Sequence, residues 1–469
     1  MNPNNTFYTP GTGLPDFEMR IALGLCAAAL NAVEPEKIRL VELYDRYCVE
    51  IDDDGDVTAK VMKALGWLCQ NKISDQSLLL RIPGFRPLHL ENQSVGIAKF
   101  GKKIANKNSK PKNIFTEKNE IRKGAHASAC GHNYSRNDKI TGALVSFCPQ
   151  LGQPPKRDNV THQITLPLCP FCVVSSLAGT FFFQIDVAIN TSDRSKKERF
   201  FFLPHFAGII KGGEMAQYIA TAKHISRKIE DIPAPAALLA LLSLYPHLIE
   251  ILRDKVDSFF VGRLDSSGNA PRYEYQVEKS DPKEITFLKN AYNRALVQAL
   301  LQERIFSQDR SKLLGLLARA FRNIDEKSAL DFARTYVGVR EGKALLSRKT
   351  TDSFAQEIFN MDKSLLEGEN FDVIKKIADM LQYFVRERNF GYVDNLRKAR
   401  DADEFAKLLL DAQREAQSSV LDPKKQYKPY LPGQNTVQQM LQLVNNEKQF
   451  RSVQTLVALL AFTYYKKED

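Results

Sequence analysis

Apolar residues recur every three or four positions through "LPDFEMRIALGLCAAALNAV" (14–33). That spacing predicts a first helix, with Asp16 as an early cap and Glu34-Pro35 as its stop. "IRLVELYDRYCVEI" (38–51) instead alternates and is rich in β-branched and aromatic residues, which predicts a strand. Helical spacing returns in "VTAKVMKALGWLCQ" (57–70). Farther along, "TFFFQIDVAI" (180–189) and "ERFFFLPHF" (198–206) flank the polar "NTSDRSKK" and predict a β-hairpin.

After Pro233 and Pro235 the texture is helical almost throughout. "APAALLALLSLYPHLIEIL" (234–252) is predicted as a buried helix; Pro246, His247 and Glu250 leave it short of the roughly 20 clean residues a membrane span needs. Runs at 284–306, 311–324, 371–387, 403–416 and 436–447 carry one-sided apolar spacing, as a helical bundle requires. Gly/Pro-rich stretches at 262–284 and 420–435 are predicted as loops between them. The expected fold is therefore α+β. It comprises an N-terminal α/β region (1–98), a basic loop (99–125), a cysteine-rich zinc-type insert with the β-hairpin (126–232) and a helical domain (233–469) whose end, 361–469, forms a bundle.

Charge changes the picture at one place. The chain has 469 residues and a formal net charge of +11, and residues 99–123 hold nine cations against two acids. Periodicity is lost there, so the segment is expected to be a basic loop. Lysines interleaved with asparagines, with Phe100 and Phe115 for stacking, suit phosphate and base-edge contacts. The nucleic-acid-binding candidates are Lys99, Lys102, Lys103, Asn106, Lys107, Asn108, Lys110, Lys112, Lys118, Arg122 and Lys123, joined by Tyr134, Arg136, Asn137 and Lys139 of the neighbouring "HNYSRNDK".

Seven irregularly spaced cysteines and no basic-then-apolar leader predict a reducing, cytoplasmic setting and no membrane partner. Cys130, His132, Cys148, Cys169 and Cys172 fall in one short window, and four of these five would suit structural zinc. Cys169-Pro-Phe-Cys172 supplies one tight turn; Cys130-Gly-His132, or Cys148, would supply the rest. Two other readings stay open: a redox pair resembling a glutaredoxin site, and unligated core thiols. Cys26, Cys48 and Cys69 lie on apolar faces and are expected in the core.

Catalytic signatures are missing. The other histidines are scattered, "GTG" (11–13) and "KGGE" (211–214) lack the rest of a phosphate-binding fingerprint, and "EIDDDGD" (50–56) places Val61 where a calcium loop needs glutamate. A non-enzyme is expected.

A mixed N-terminal half, a C…C-P-x-C insert, a basic loop and a helical end closing in "SVQTLVALLAFTYYKKED" together resemble the large subunit of a type I CRISPR Cascade complex. Within that group the chain is most similar to the MYXAN or type I-B-like members of the Cas-eight family. The resemblance implies a non-catalytic role in RNA-guided antiviral defence. It includes PAM recognition in duplex DNA, help with unwinding and R-loop stabilisation, and recruitment of a helicase-nuclease or a transposition-targeting protein. The implied partners are guide RNA, target double-stranded DNA, and the backbone, handle-binding and small subunits. Met361 is then a possible internal start for a small-subunit-like piece. The alternatives are a zinc-containing nucleic-acid-processing enzyme and a helical assembly protein whose basic loop is incidental.

Overall fold

The computed structural model describes residues 5–12, 15–73, 98–99, 101–102, 104–106, 114–117, 130, 132, 170–190, 198–225, 229–252, 255–265, 272–279, 282–302, 307–340, 345–425 and 427–464. The architecture is α+β with a helical C-terminal region, as the pattern predicts. Two compact units divide the chain, Met1–Ser280 and Asp281–Asp469.

In the first unit, β1 (Thr6–Tyr8), α1 (Pro15–Leu30), β2 (Ile38–Glu42), β3 (Tyr47–Ile51) and α2 (Val57–Leu68) are followed by α3 (Pro170–Phe183) and the hairpin β4 (Ile185–Asn190) and β5 (Glu198–Phe206). Then come β6 (Ile209–Lys211), α4 (Gly212–Lys223), β7 (Ile229–Glu230), α5 (Ala234–Leu244), α6 (Pro246–Leu252), β8 (Val256–Asp265) and β9 (Arg272–Lys279). One sheet has the order β1-β3-β2-β6 and the other β7-β4-β5-β8-β9. Among the described strands of this unit, β4 and β7 pair in parallel and the other pairs are antiparallel.

Several expectations are corrected here. The single strand over 38–51 is a hairpin: Glu42 faces Tyr47, and the Leu43 amide donates to the Arg46 carbonyl at 2.8 Å. Its turn contains neither Gly nor Pro, so the alternation ran on unbroken. The residues 180–183, expected in a strand, are the last turn of α3, and the strand starts at Ile185. The helix expected over 234–252 is split at Tyr245, ahead of Pro246, whose ring cannot continue the hydrogen-bond ladder. Of the loop expected over 262–284, residues 262–265 and 272–279 are strand instead, because β8 and β9 pair from Ser258 opposite Lys279 to Asp265 opposite Arg272, while residues 266–271 lie outside the described residues. Gly262 marks where the Phe201 ring crosses the strand: a Cβ there would sit 1.8 Å from that ring's Cζ.

The centre of this unit is the seam between α1 and α3. Helix α1 is buried from Asp16 to Ala29, charged residues included. Arg20 Nε donates to Asp16 Oδ1 at 2.6 Å, and Arg20 Nη1 donates to Thr180 Oγ1 at 2.7 Å and Gln184 Oε1 at 3.2 Å. A buried charge is tolerable only when paired and hydrogen-bonded in this way. The backbones approach so closely that a Cβ on Gly24 would lie 1.7 Å from the Ser175 carbonyl oxygen, and one on Gly179 2.1 Å from that of Arg20. Asp16 is thus a buried ion-pair partner in the helix's first turn as well as an acidic group at its N-terminal end.

In the second unit, the run over 284–306 is two helices, α7 (Pro282–Lys289) and α8 (Ala291–Gln302). They are followed by α9 (Ser307–Arg322), α10 (Glu326–Val339), β10 (Leu346–Ser347), α11 (Arg348–Glu357), α12 (Lys363–Leu366), α13 (Gly368–Arg386), α14 (Gly391–Lys398), α15 (Ala402–Leu421), α16 (Gln434–Val444), α17 (Phe450–Ala461) and β11 (Thr463–Tyr464). Side chains cap four of these helices: Asp325, Ser347, Asp362 and Asp401 accept from first-turn amides of α10, α11, α12 and α15. β10 pairs with β11 in parallel, and the buried Thr351 and Thr463 hydroxyls lie 2.6 Å apart. Met361 is buried and its amide donates to the Ala355 carbonyl at 3.0 Å.

Candidate metal centre

Helix α3 opens with Pro170, whose fixed backbone angle suits the first helical position and whose missing N–H costs nothing there. Cys172 therefore lies in the first turn, and its side chain is fully buried. The glycine contacts with α1 hold this helix in place. A second wall comes from the segment at 114–117, where the Tyr8 amide of β1 donates to the Phe115 carbonyl at 2.7 Å. The Phe115 ring stands edge-on to the imidazole of His132, with centroids 5.6 Å apart.

Between these walls, Cys172 Sγ is 3.3 Å from His132 Nδ1, and Cys130 completes a buried group whose ligand atoms all lie within 4.8 Å of one another. Zn–S bonds of about 2.3 Å in a tetrahedron put ligand sulfurs about 3.8 Å apart, so small side-chain adjustments bring this set to bonding distance. Two thiols and one imidazole form a soft to borderline donor set. Deprotonated thiolates would balance the charge of a divalent cation inside a core where it could not otherwise reside. The group can hold a metal ion, with Cys130, His132 and Cys172 as the ligands.

The five zinc candidates thus fall into two classes. Cys130, His132 and Cys172 come together; Cys148 and Cys169 lie outside the described residues. The three core thiols are placed as expected: Cys26, Cys48 and Cys69 are free and buried. Burial pushes the Cys69 thiol up to about 12, and burial, followed by the Glu50 charge, pushes Cys48 up to about 11. Such thiols stay protonated and unreactive at neutral pH. Cys172 is equally inaccessible, whereas a redox couple needs an attacking thiol within reach of its substrate.

Of the nucleic-acid candidates, Lys99, Lys102 and Asn106 are described and exposed. Lys103, Lys107, Asn108, Lys110, Lys112, Lys118, Arg122, Lys123, Tyr134, Arg136, Asn137 and Lys139 lie outside the described residues. The segment's start is helical rather than a loop: residues 98–99, 101–102 and 104–105 have helical backbone. Ile104 is buried, and Gly101 meets α2 so closely that a Cβ would be 2.7 Å from the Gly66 carbonyl oxygen. Phe115 does not serve base stacking, because it is fully buried beside His132. Its role as a wall of the cysteine group was not visible in the sequence, where Ile114 and Phe115 stand as a short apolar pair among polar residues.

Among the described residues no helix is long and apolar enough to cross a membrane. No family model matches the chain, and no curated protein matches it.

Proposed function

We propose that this chain is a non-catalytic, nucleic-acid-binding large subunit of an RNA-guided complex of the type I CRISPR Cascade kind, with a structural zinc ion at Cys130, His132 and Cys172. The observation that carries this reading is the buried cysteine-histidine group, which sits at the far end of the basic segment and is walled by a residue of that segment, Phe115. A rigid, metal-tied base beneath a lysine-rich stretch presents cations to a polyanion without requiring the stretch itself to form a core. The burial of all three ligands fits structural rather than catalytic metal.

In this role the zinc would tie the stretch just after the basic segment, through Cys130 and His132, to the first turn of α3, through Cys172. Cys148 or Cys169 supplies the fourth ligand. Lys99 and Lys102 are exposed residues with helical backbone and, with the other cations up to Lys123, hold phosphates of duplex DNA beside the PAM. The chain works with guide RNA and the other Cascade subunits in the cytoplasm.

Two measurements test the reading. Metal analysis of the purified protein should find one tightly held zinc, lost in Cys172→Ser, while Cys48→Ser leaves it in place. Replacing Lys102, Lys103, Lys107 and Lys110 together with glutamine should weaken duplex binding and flatten its salt dependence by up to about four in slope. Zinc content unaffected by Cys172→Ser removes the metal role. Unchanged duplex affinity at physiological salt removes the DNA role, and failure to co-purify with guide RNA and backbone subunits removes the Cascade assignment.

A further inference from the structure

A patch on the first unit combines one exposed indole with unpaired lysines. Helix α2 turns Val57, Val61, Met62, Leu65 and Leu68 inward. Its opposite face carries Lys60, Lys63, Trp67 and Asn71 at steps of three and four, and all four are exposed. Trp67 is the chain's one tryptophan and is 46% exposed. Tryptophan is highly buried on average, so a half-bare indole among lysines on a helix's wet face calls for a reason. Lys60 is held by Asp53, whereas Lys63, Lys99 and Lys102 have no ion-pair partner among the described residues.

Contacts at two glycines place Lys99 and Lys102 beside this face. A Cβ on Gly66 would lie 2.8 Å from the Gly101 carbonyl oxygen and 3.0 Å from the Ala105 side chain. One on Gly101 would lie 2.7 Å from the Cys69 side chain and 3.1 Å from that of Gln70. Passing from 101 to 105 therefore leads back from 69–70 to 66, so the two stretches run antiparallel. Lys102, next after Gly101, is level with Trp67, next after Gly66. Ile104 is buried, whereas Lys99, Lys102 and Asn106 are exposed. Where Gly101 packs, α2 runs on in the wider π-type turns of Cys69–Ile73, a local departure frequent at functional sites. One surface results, with Lys63 a turn before the indole on its own helix and Lys102 and Lys99 across the glycine contact.

Ammonium groups call for carboxylates or phosphates. The ring decides between them. Duplex DNA offers a phosphate backbone and stacked bases, which polar and cationic side chains contact, so an indole on a helix finds no bare base to meet there. Nucleic acid without a second strand is gripped by successive rings along a positive groove. Here one ring stands alone, since Phe115 is buried beside His132. A protein segment uses both parts of the patch. Tryptophan is enriched among the residues that dominate protein–protein binding, at the centre of a contact whose rim is polar.

We propose that Trp67, rimmed by Lys63, Lys99 and Lys102, docks an acidic segment of a partner protein. An apolar side chain of that segment lies against the indole, and its carboxylates meet the three ammonium groups. Lys99 and Lys102 belong also to the duplex contacts proposed above, so the acidic segment and duplex DNA exclude one another there. That competition rests on the duplex reading; the docking does not.

The test titrates the full chain with a synthetic peptide of glutamate and leucine in amphipathic spacing, and with polyglutamate as the charge control. The chain has one tryptophan and neither peptide has any, so indole emission reports Trp67 alone. The amphipathic peptide should shift that emission to shorter wavelength and shield it from acrylamide; polyglutamate should bind more weakly and leave it unshifted. With labelled peptide, Trp67→Ala should weaken binding roughly 30-fold, the loss of a central aromatic anchor, while Trp67→Phe keeps most of the affinity. Both variants should melt with the parent, since the ring lies on the wet face. Unlabelled peptide should displace a labelled duplex from the parent, and Trp67→Ala should bind that duplex as the parent does. No emission shift with the amphipathic peptide, or Trp67→Ala binding it as tightly as the parent, overturns the docking site. Stronger quenching of Trp67 by oligothymidylate than by the peptide does so as well, marking a base-stacking ring. Peptide and duplex bound together overturn the competition. A chain that shifts with peptide but binds no duplex sustains the docking site and strikes the duplex reading.

Discussion

Helices α1 and α13 are both essential to their units, yet they are built on opposite principles. α13 has a conventional division of labour, with Val373, Ile374, Ile377, Leu381 and Phe384 buried and Glu369, Asp372 and Lys376 facing water. α1 has no water-facing side for most of its length, and its charged side chains find partners inside: Arg20 pairs with Asp16 and donates to Thr180, and Glu18 accepts from the Thr12 amide and hydroxyl. An amphipathic helix is held by the sum of many apolar contacts, each replaceable. A helix sunk into a core and closed against a neighbour at glycines depends on a few positions that permit no change.

The sharpest break in this comparison is Gly24→Val. No rotamer relieves a Cβ that close to the Ser175 carbonyl, so α1 and α3 must part. Hydrogen exchange should show protection lost over 15–30 and 170–183 and kept over 368–386; protection retained in both would disprove the close seam. Next comes Asp16→Asn, which leaves a buried guanidinium short of its charge partner and should cost about 3–5 kcal/mol in denaturant unfolding. The matched change in the helical unit, Asp394→Asn, breaks a half-exposed pair with Arg334 and should cost no more than about 1 kcal/mol. Equal losses for the two would show that burial is not what separates them.

Two smaller changes should stabilise the helical unit. Ile324 adopts φ 50° after α9 and is half exposed, a β-branched side chain in a region that disfavours it. Ile324→Gly should add about 1 kcal/mol, read as a higher melting temperature. Asp379 in α13 has its carboxyl raised above the usual range by burial, with Lys375 opposing. The folded state therefore holds its proton more tightly than the unfolded chain. Stability falls as pH rises from the unfolded value near 3.9 through the raised folded value, and stays reduced above it. Asp379→Asn should remove that loss, giving a gain at pH 7 that shrinks toward pH 4 in parallel melting curves.

What the sequence made legible follows the same divide. In the helical unit the apolar spacing located α9, α13, α15 and α16 because each helix has a wet face to contrast with a dry one. In the first unit the contrast fails. "TFFF" at the end of α3 reads as strand because its rings are packed on several sides, and Phe201 crossing Gly262 makes a strand resemble a loop. The cysteine-histidine group was legible by residue type, since soft ligands in a short window narrow the chemistry. Which of them meet was not, because His132 is brought to Cys172 by β1, Phe115 and the α1–α3 seam, and none of these contacts is local in the chain. The stretch at 420–435 reads in the sequence only as a connection, because the burial of Pro429 and Pro432 is a property of the folded chain.

The parallel pairing of β10 with β11 bears on how the protein is made. Thr351 and Thr463 meet across 112 positions, and Gln382 Nε2 also donates to the Thr463 carbonyl at 2.6 Å. The helical unit is thus fastened late, like a clasp, by residues that leave the ribosome after nearly all the helices they secure. Closing so long a loop carries an entropic cost, and β10 has no strand partner among the described residues until residues 463–464 have emerged. A piece starting at Met361 would carry β11 without β10, leaving the clasp with one half, and such a piece would need another chain to supply the missing edge.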